Sequence, residues 1–70
     1  MGAIKTAGLK RDEIEALKLA AEGVPDSEIA ARQNYSVWQV RIRWRFIYAK
    51  LRAKSRPHAV AVAIRTGIIK

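Results

Sequence analysis

Val37, Val40, Trp44, Ile47 and Leu51 step along the chain by 3, 4, 3 and 4 residues. That spacing lays one apolar stripe along an α-helix, whereas a strand would need a period of two. Ser36 stands immediately before the stripe, where a hydroxyl can accept from the unpaired N–H groups of a helix start. A helix so marked must bury its stripe against other elements, so the rest of the chain has to supply helices or sheets that cover it.

The remaining punctuation predicts helices. Ile14, Leu17, Ala20 and Ala21 recur at helical spacing, and acids crowd the first turn, where the helix dipole favours them. A first helix is therefore expected from about Arg11 to Glu22, ended by Gly23, with Val24-Pro25 as connector. Asp12, Glu13, Glu15 and Glu22 read as its charged outer face. Asp26 is read as the N-cap of a second helix running to about Gln33, with Ile29, Ala30 and Gln33 inward and Asn34 suited to a left-handed turn. The long third helix meets no glycine and is expected to run to about Lys54, before Pro57 interrupts it. Pro57 then suits the first turn of a fourth helix, at about 57–66, closed by Gly67. Trp44 belongs to the core and Tyr48 to its edge. The expected fold is all-α, four short helices over 9–70, preceded by a loose arm at 1–8.

Length limits what such a fold can bury. A chain of 70 residues hides only about 60% of the surface its unfolded form exposes. With no cysteine and one histidine, neither disulfides nor a Cys/His metal site can add stability. Dimerisation is the natural supplement. The Ala59–Ile64 segment is apolar nearly all round, so one face, Val60, Ala63 and Ile64, is expected to close the domain. The other, Ala61, Val62 and Arg65, is expected to meet a second copy.

Charge is distributed unevenly. The first 28 residues hold all six acids and four bases, and the remaining 42 hold ten bases and no acid. Such a half suits a polyanion. Chemistry is not expected. His58 has no recognisable nucleophile or orienting carboxylate around it, the scattered glycines form no phosphate-cradling loop, and no metal or cofactor is implied. No apolar run reaches the roughly 20 residues that span a bilayer. The setting read from these features is the cytoplasm.

Two helices joined across Asn34-Tyr35-Ser36 describe a helix-turn-helix, whose second helix normally enters the major groove of DNA. On that helix Arg41 and Arg45 fall on one flank of the outward face, and Arg43 and Lys50 on the other, with Lys54 just beyond. Cations so placed neutralise phosphates on both sides of a groove. Gln39, in the first turn, is a natural bidentate partner for adenine. Against this stands an apolar line, Trp38, Ile42, Phe46 and Ala49, directly opposite the core stripe. It suits thymine methyls or a deformed groove, another protein, or cover by the N-terminal arm.

The pattern resembles the LuxR/GerE-type helix-turn-helix of bacterial transcription regulators. The matching residues are Leu9, Glu13, Glu15, Leu17, Ala21-Glu22-Gly23, Glu28-Ile29-Ala30, Ser36, Val40, Ile47-Tyr48, Lys50-Leu51, Arg56, Ala59-Val60 and Gly67-Ile68-Ile69. The promoter-reading C-terminal domain of sigma factors is similar up to Leu51, and the Ala59–Ile69 stretch favours the LuxR type. The resemblance implies base or groove contact from Trp38, Gln39, Ile42 and Arg43. It implies phosphate contact from Ser36, Arg41, Arg45 and Lys50, a set to which Lys54 is added, and a two-fold dimer contact through the fourth helix. The chain departs from the family at Asp12 (usually arginine), Lys10 (usually a capping threonine), Gln33 (usually apolar) and Arg52 (usually the glycine that ends the third helix). The expected function is that of a small dimeric bacterial regulator binding double-stranded DNA at the nucleoid. The alternative is a protein-binding module that docks a transcription regulator or RNA polymerase through Trp38, Ile42 and Phe46.

Overall fold

The computed structural model describes residues 7–70. Four helices follow one another: α1 (Arg11–Ala21), α2 (Asp26–Gln33), α3 (Val37–Leu51) and α4 (Arg56–Arg65), with no strand among the described residues. Of the predicted arm at 1–8, positions 1–6 lie outside the described residues. Ala7 and Gly8 form a turn with left-handed backbone, φ 55° and 79°.

Local chemistry sets most of the boundaries. Lys10 occupies the N-cap of α1 and has no side-chain acceptor to offer, so Glu13 reaches back instead and accepts the Lys10 N–H at 2.8 Å. Gly23 leaves α1 with φ 83°, and the Val24 N–H then donates to the Leu19 carbonyl at 3.0 Å, closing the helix end. Asn34 makes the corresponding left-handed exit from α2 (φ 59°), with the Tyr35 N–H donating to Ala30. At the start of α3, Ser36 Oγ accepts the Gln39 N–H at 3.0 Å, and Gln39 Oε1 accepts the Ser36 N–H at 2.8 Å. These two bonds satisfy two otherwise unpaired donors reciprocally.

Three boundary expectations are corrected. Pro25, not Asp26, is the N-cap of α2. The Asp26 carboxylate instead accepts from Trp44 Nε1 at 3.0 Å and from Arg56, bonds between elements that outcompete a local cap. The third helix stops at Leu51 rather than near Lys54, because Arg52 itself takes the left-handed conformation, φ 55°. The Ala53 N–H then donates to the Tyr48 carbonyl, as it would beyond a glycine. The shortened helix leaves Ser55 available to cap α4, where its Oγ accepts from the His58 N–H, so α4 begins at Arg56, one residue early.

The core joins Leu9, Leu17 and Leu19 to Ile29, to Val40, Trp44, Ile47 and Leu51 of α3, to Ala59 and Ala63 of α4, and to Ile69. Burying a side chain the size of Leu17, Ile29 or Ile47 contributes about 1.5–3 kcal/mol each. Val37, the first member of the α3 stripe, stays partly outside at 38% exposure. In α4 the small residues face inward and Ile64 is 49% exposed. Ile64 therefore does not help close the domain. Val62, expected on the outer face, packs partly against the core. The first helix is also less of an outer face than its acids suggest. Glu13 is buried, with its Oε1 accepting Lys50 Nζ at 2.8 Å, and Asp12 is half-buried.

Candidate functional site

The exposed side of α3 begins at its cap and runs the length of the helix. Trp38 is 67% exposed and Phe46 57%, and Gln39, Arg41 and Arg45 are exposed as well. Ile42, Arg43 and Lys50 sit lower and are half-buried. With Tyr35, Phe46 and Lys10 they line a groove of about 300 Å³ between α3 and the start of α1. The sequence-derived contact set thus falls into two tiers, an outer tier of Trp38, Gln39, Arg41 and Arg45 and a recessed tier of Ile42, Arg43 and Lys50. Ser36 and Lys54 are exposed at the two ends of α3.

The recessed cations are held in place by acids of α1. Arg43 Nη2 donates to the Tyr35 hydroxyl at 3.0 Å, with its guanidinium carbon 4.6 Å from the centre of the Tyr35 ring. Tyr35 in turn donates to Asp12 Oδ2 at 2.5 Å. Gln33 Nε2 donates to the Asp12 carbonyl at 3.0 Å, so an amide in a position expected to be apolar finds a partner across the α1–α2 contact. The Asp12 hydrogen bond, together with burial, pushes the Tyr35 hydroxyl above its ordinary pKa, with Arg43 pulling the other way. Arg43 Nε and Gln33 Oε1 are buried without partners. Lys50 is committed to Glu13, and its side chain keeps 28% exposure.

Tyr35 and Asp12 are the participants that sequence reasoning missed. Tyr35 reads only as a turn residue, and Asp12 only as an acid near a helix start. Their contact joins positions 23 apart, and no local signal announces it.

Two further arrangements bear on the site indirectly. Asp26 and Arg56 clamp the Trp44 indole, with the Arg56 guanidinium, which also donates to the Val24 carbonyl, 5.0 Å from its ring centre and Tyr48 stacked on it at 5.8 Å. This clamp fixes the roll of α3 about its own axis, and so which residues face outward. Burial raises the Tyr48 pKa. On α4, Ala61 and Arg65 of the expected dimer face are exposed and Val62 is half-buried. Ile64 lies beside them and borders a second groove shared with Lys18, Glu22 and Ile68.

His58 Nδ1 accepts the Lys54 N–H at 3.0 Å. Among the described residues no three His, Cys, Asp or Glu side chains gather as a metal would require. No helix among them is long and apolar enough to cross a membrane. Comparisons of the chain with protein-family models, with curated proteins and with solved structures gave no match.

Proposed function

We propose that this chain is a small bacterial transcription regulator that binds double-stranded DNA as a dimer. In this reading α2, Asn34–Ser36 and α3 form a helix-turn-helix of the LuxR/GerE type, with α3 in the major groove. One observation carries it: α3 presents an exposed face with Arg41 and Arg45 and no carboxylate. The ion pairs among the described residues engage Arg32, Lys50 and Arg56 instead. Trp38, Gln39, Ile42 and Arg43 are then the side chains turned to base edges, and Ser36, Arg41, Arg45 and Lys54 those turned to phosphates. Lys50 reaches a phosphate only by loosening its hold on Glu13. The second copy meets the outer face of α4 at Ala61 and Arg65, with Ile64 adding apolar area that burial in a dimer would stabilise. Occlusion of a promoter is the simplest mode of action, in the bacterial cytoplasm and without catalysis.

Exposure of Trp38 and Phe46 also favours a second reading, a module that docks a transcription regulator or RNA polymerase through Trp38, Ile42 and Phe46. Repeated selection of bound fragments from random duplex DNA separates the two. Enrichment of a two-fold symmetric sequence supports the DNA reading. A pool that stays random through successive rounds contradicts it and leaves the docking module.

A further inference from the structure

We infer that the apolar line of α3 reads thymine methyl groups, so that each half of the preferred site of this chain is defined by the positions of thymines. The inference rests on the DNA reading above and specifies its chemistry. Trp38, Ile42 and Phe46 stand at i, i+4 and i+8, which at 1.5 Å per residue covers about 12 Å of groove, the length of three to four base pairs. The apolar group that base pairs present in the major groove is the C5-methyl of thymine. An exposed aromatic at each end of the line, 67% and 57%, finds nothing else there to replace the water it sheds.

The polar readers beside the line are already engaged. Gln39 has its amide oxygen on the Ser36 N–H, so pairing with both adenine groups would open the cap of α3. Arg43 is drawn down onto Tyr35, with its Nε buried. What α3 offers to base edges in its resting shape is therefore mostly carbon. Ile42 and Phe46 also line the groove toward α1, which leaves room for a methyl to settle between them. The flanking charges of Arg41 and Arg45 complement phosphate and hold this surface against the duplex.

The test uses the duplex recovered by selection, with its thymines replaced singly by deoxyuridine, which deletes the methyl alone. At two or more positions within a half-site the replacement weakens binding by about three- to fivefold, the effect of exposing one buried carbon. In Trp38→Ser and Phe46→Ser chains, shown by circular dichroism to be folded, both duplexes bind more weakly, and at one of those positions the thymine and uracil duplexes are bound alike. Sequence-specific binding in which no uracil replacement matters overturns the inference and leaves the DNA reading standing. Binding without any sequence preference overturns both.

Discussion

The Tyr35 hydroxyl donates to Asp12 across the α1–α3 boundary while accepting from Arg43. The bonds tie the start of α1, the turn before α3 and a recessed side chain of α3 into one chain of contacts. An acid on the first helix thereby controls where a base on the third one sits.

Removing that hydroxyl with Tyr35→Phe is expected to cost about 1–2 kcal/mol of stability in urea unfolding, because an oxygen bonded to a charged group at each end is lost at a half-buried site. The ring remains for Arg43 to rest on, so circular dichroism should show the native helix content. A loss within experimental error contradicts a structural role for the Asp12 bond.

Both tyrosines should ionise above the ordinary value of about 10. Their folded-state pKa values are raised, so the folded chain keeps protons that the unfolded chain has released. The stability linked to them is complete below about pH 10 and is lost as pH climbs through the raised values. An absorbance titration of the native protein should place both phenolate transitions later than in urea-unfolded chain. Coincident curves contradict it.

Arg52→Gly is expected to stabilise the chain by about 1 kcal/mol, since arginine pays for the left-handed exit of α3 that glycine adopts without strain. For a domain of this size the melting temperature should rise by about 4–8 °C. A lower melting temperature would mean that the Arg52 side chain supplies more than its backbone costs.

Lys50 and Glu13 should respond unequally to substitution. Lys50→Ala leaves a buried carboxylate with one backbone donor and is expected to cost about 3 kcal/mol. Glu13→Gln keeps an acceptor for the Lys10 N–H and leaves a lysine that can still reach water, so it should cost less. In DNA binding, Arg41→Ala and Arg45→Ala should each flatten the log–log salt dependence by about 0.9, and Lys50→Ala should not. Equal slopes for all three would mean that Lys50 releases Glu13 on binding.

Much of this architecture could be read from spacing. Val40, Trp44, Ile47 and Leu51 announced the buried side of α3, and Asn34 and Ser36 announced the turn and cap before it. What could not be read was the direction in which polar groups spend their hydrogen bonds. Asp26 has the chemistry of a cap, yet it serves Trp44 and Arg56. Glu13 has the chemistry of a solvated helix face, yet it is buried against Lys50. Arg52 has no intrinsic preference for the left-handed conformation that ends α3, so only the resemblance, which places a glycine there, pointed to a helix end. In α4 three alanines alternate with Val60, Val62 and Ile64, so periodicity alone placed Ile64 inward, where it is exposed.

That outer face of α4 gives a direct check on assembly. Ala61→Glu and Ile64→Glu alter exposed positions, so the fold should survive each of them. Sedimentation should then report the mass of one chain where the unaltered protein reports two. An unaltered protein that already sediments as one chain, or variants that remain paired, contradicts the α4 contact.

The central claim, that α3 reads duplex DNA, is tested most directly by affinity for the selected duplex against a scrambled one of equal length and composition, across a salt series. The predicted result is a preference of about 10³-fold or more, with affinity falling linearly on logarithmic axes at about −0.9 per phosphate contact. Equal affinity for the two duplexes, or affinity indifferent to salt, would contradict it.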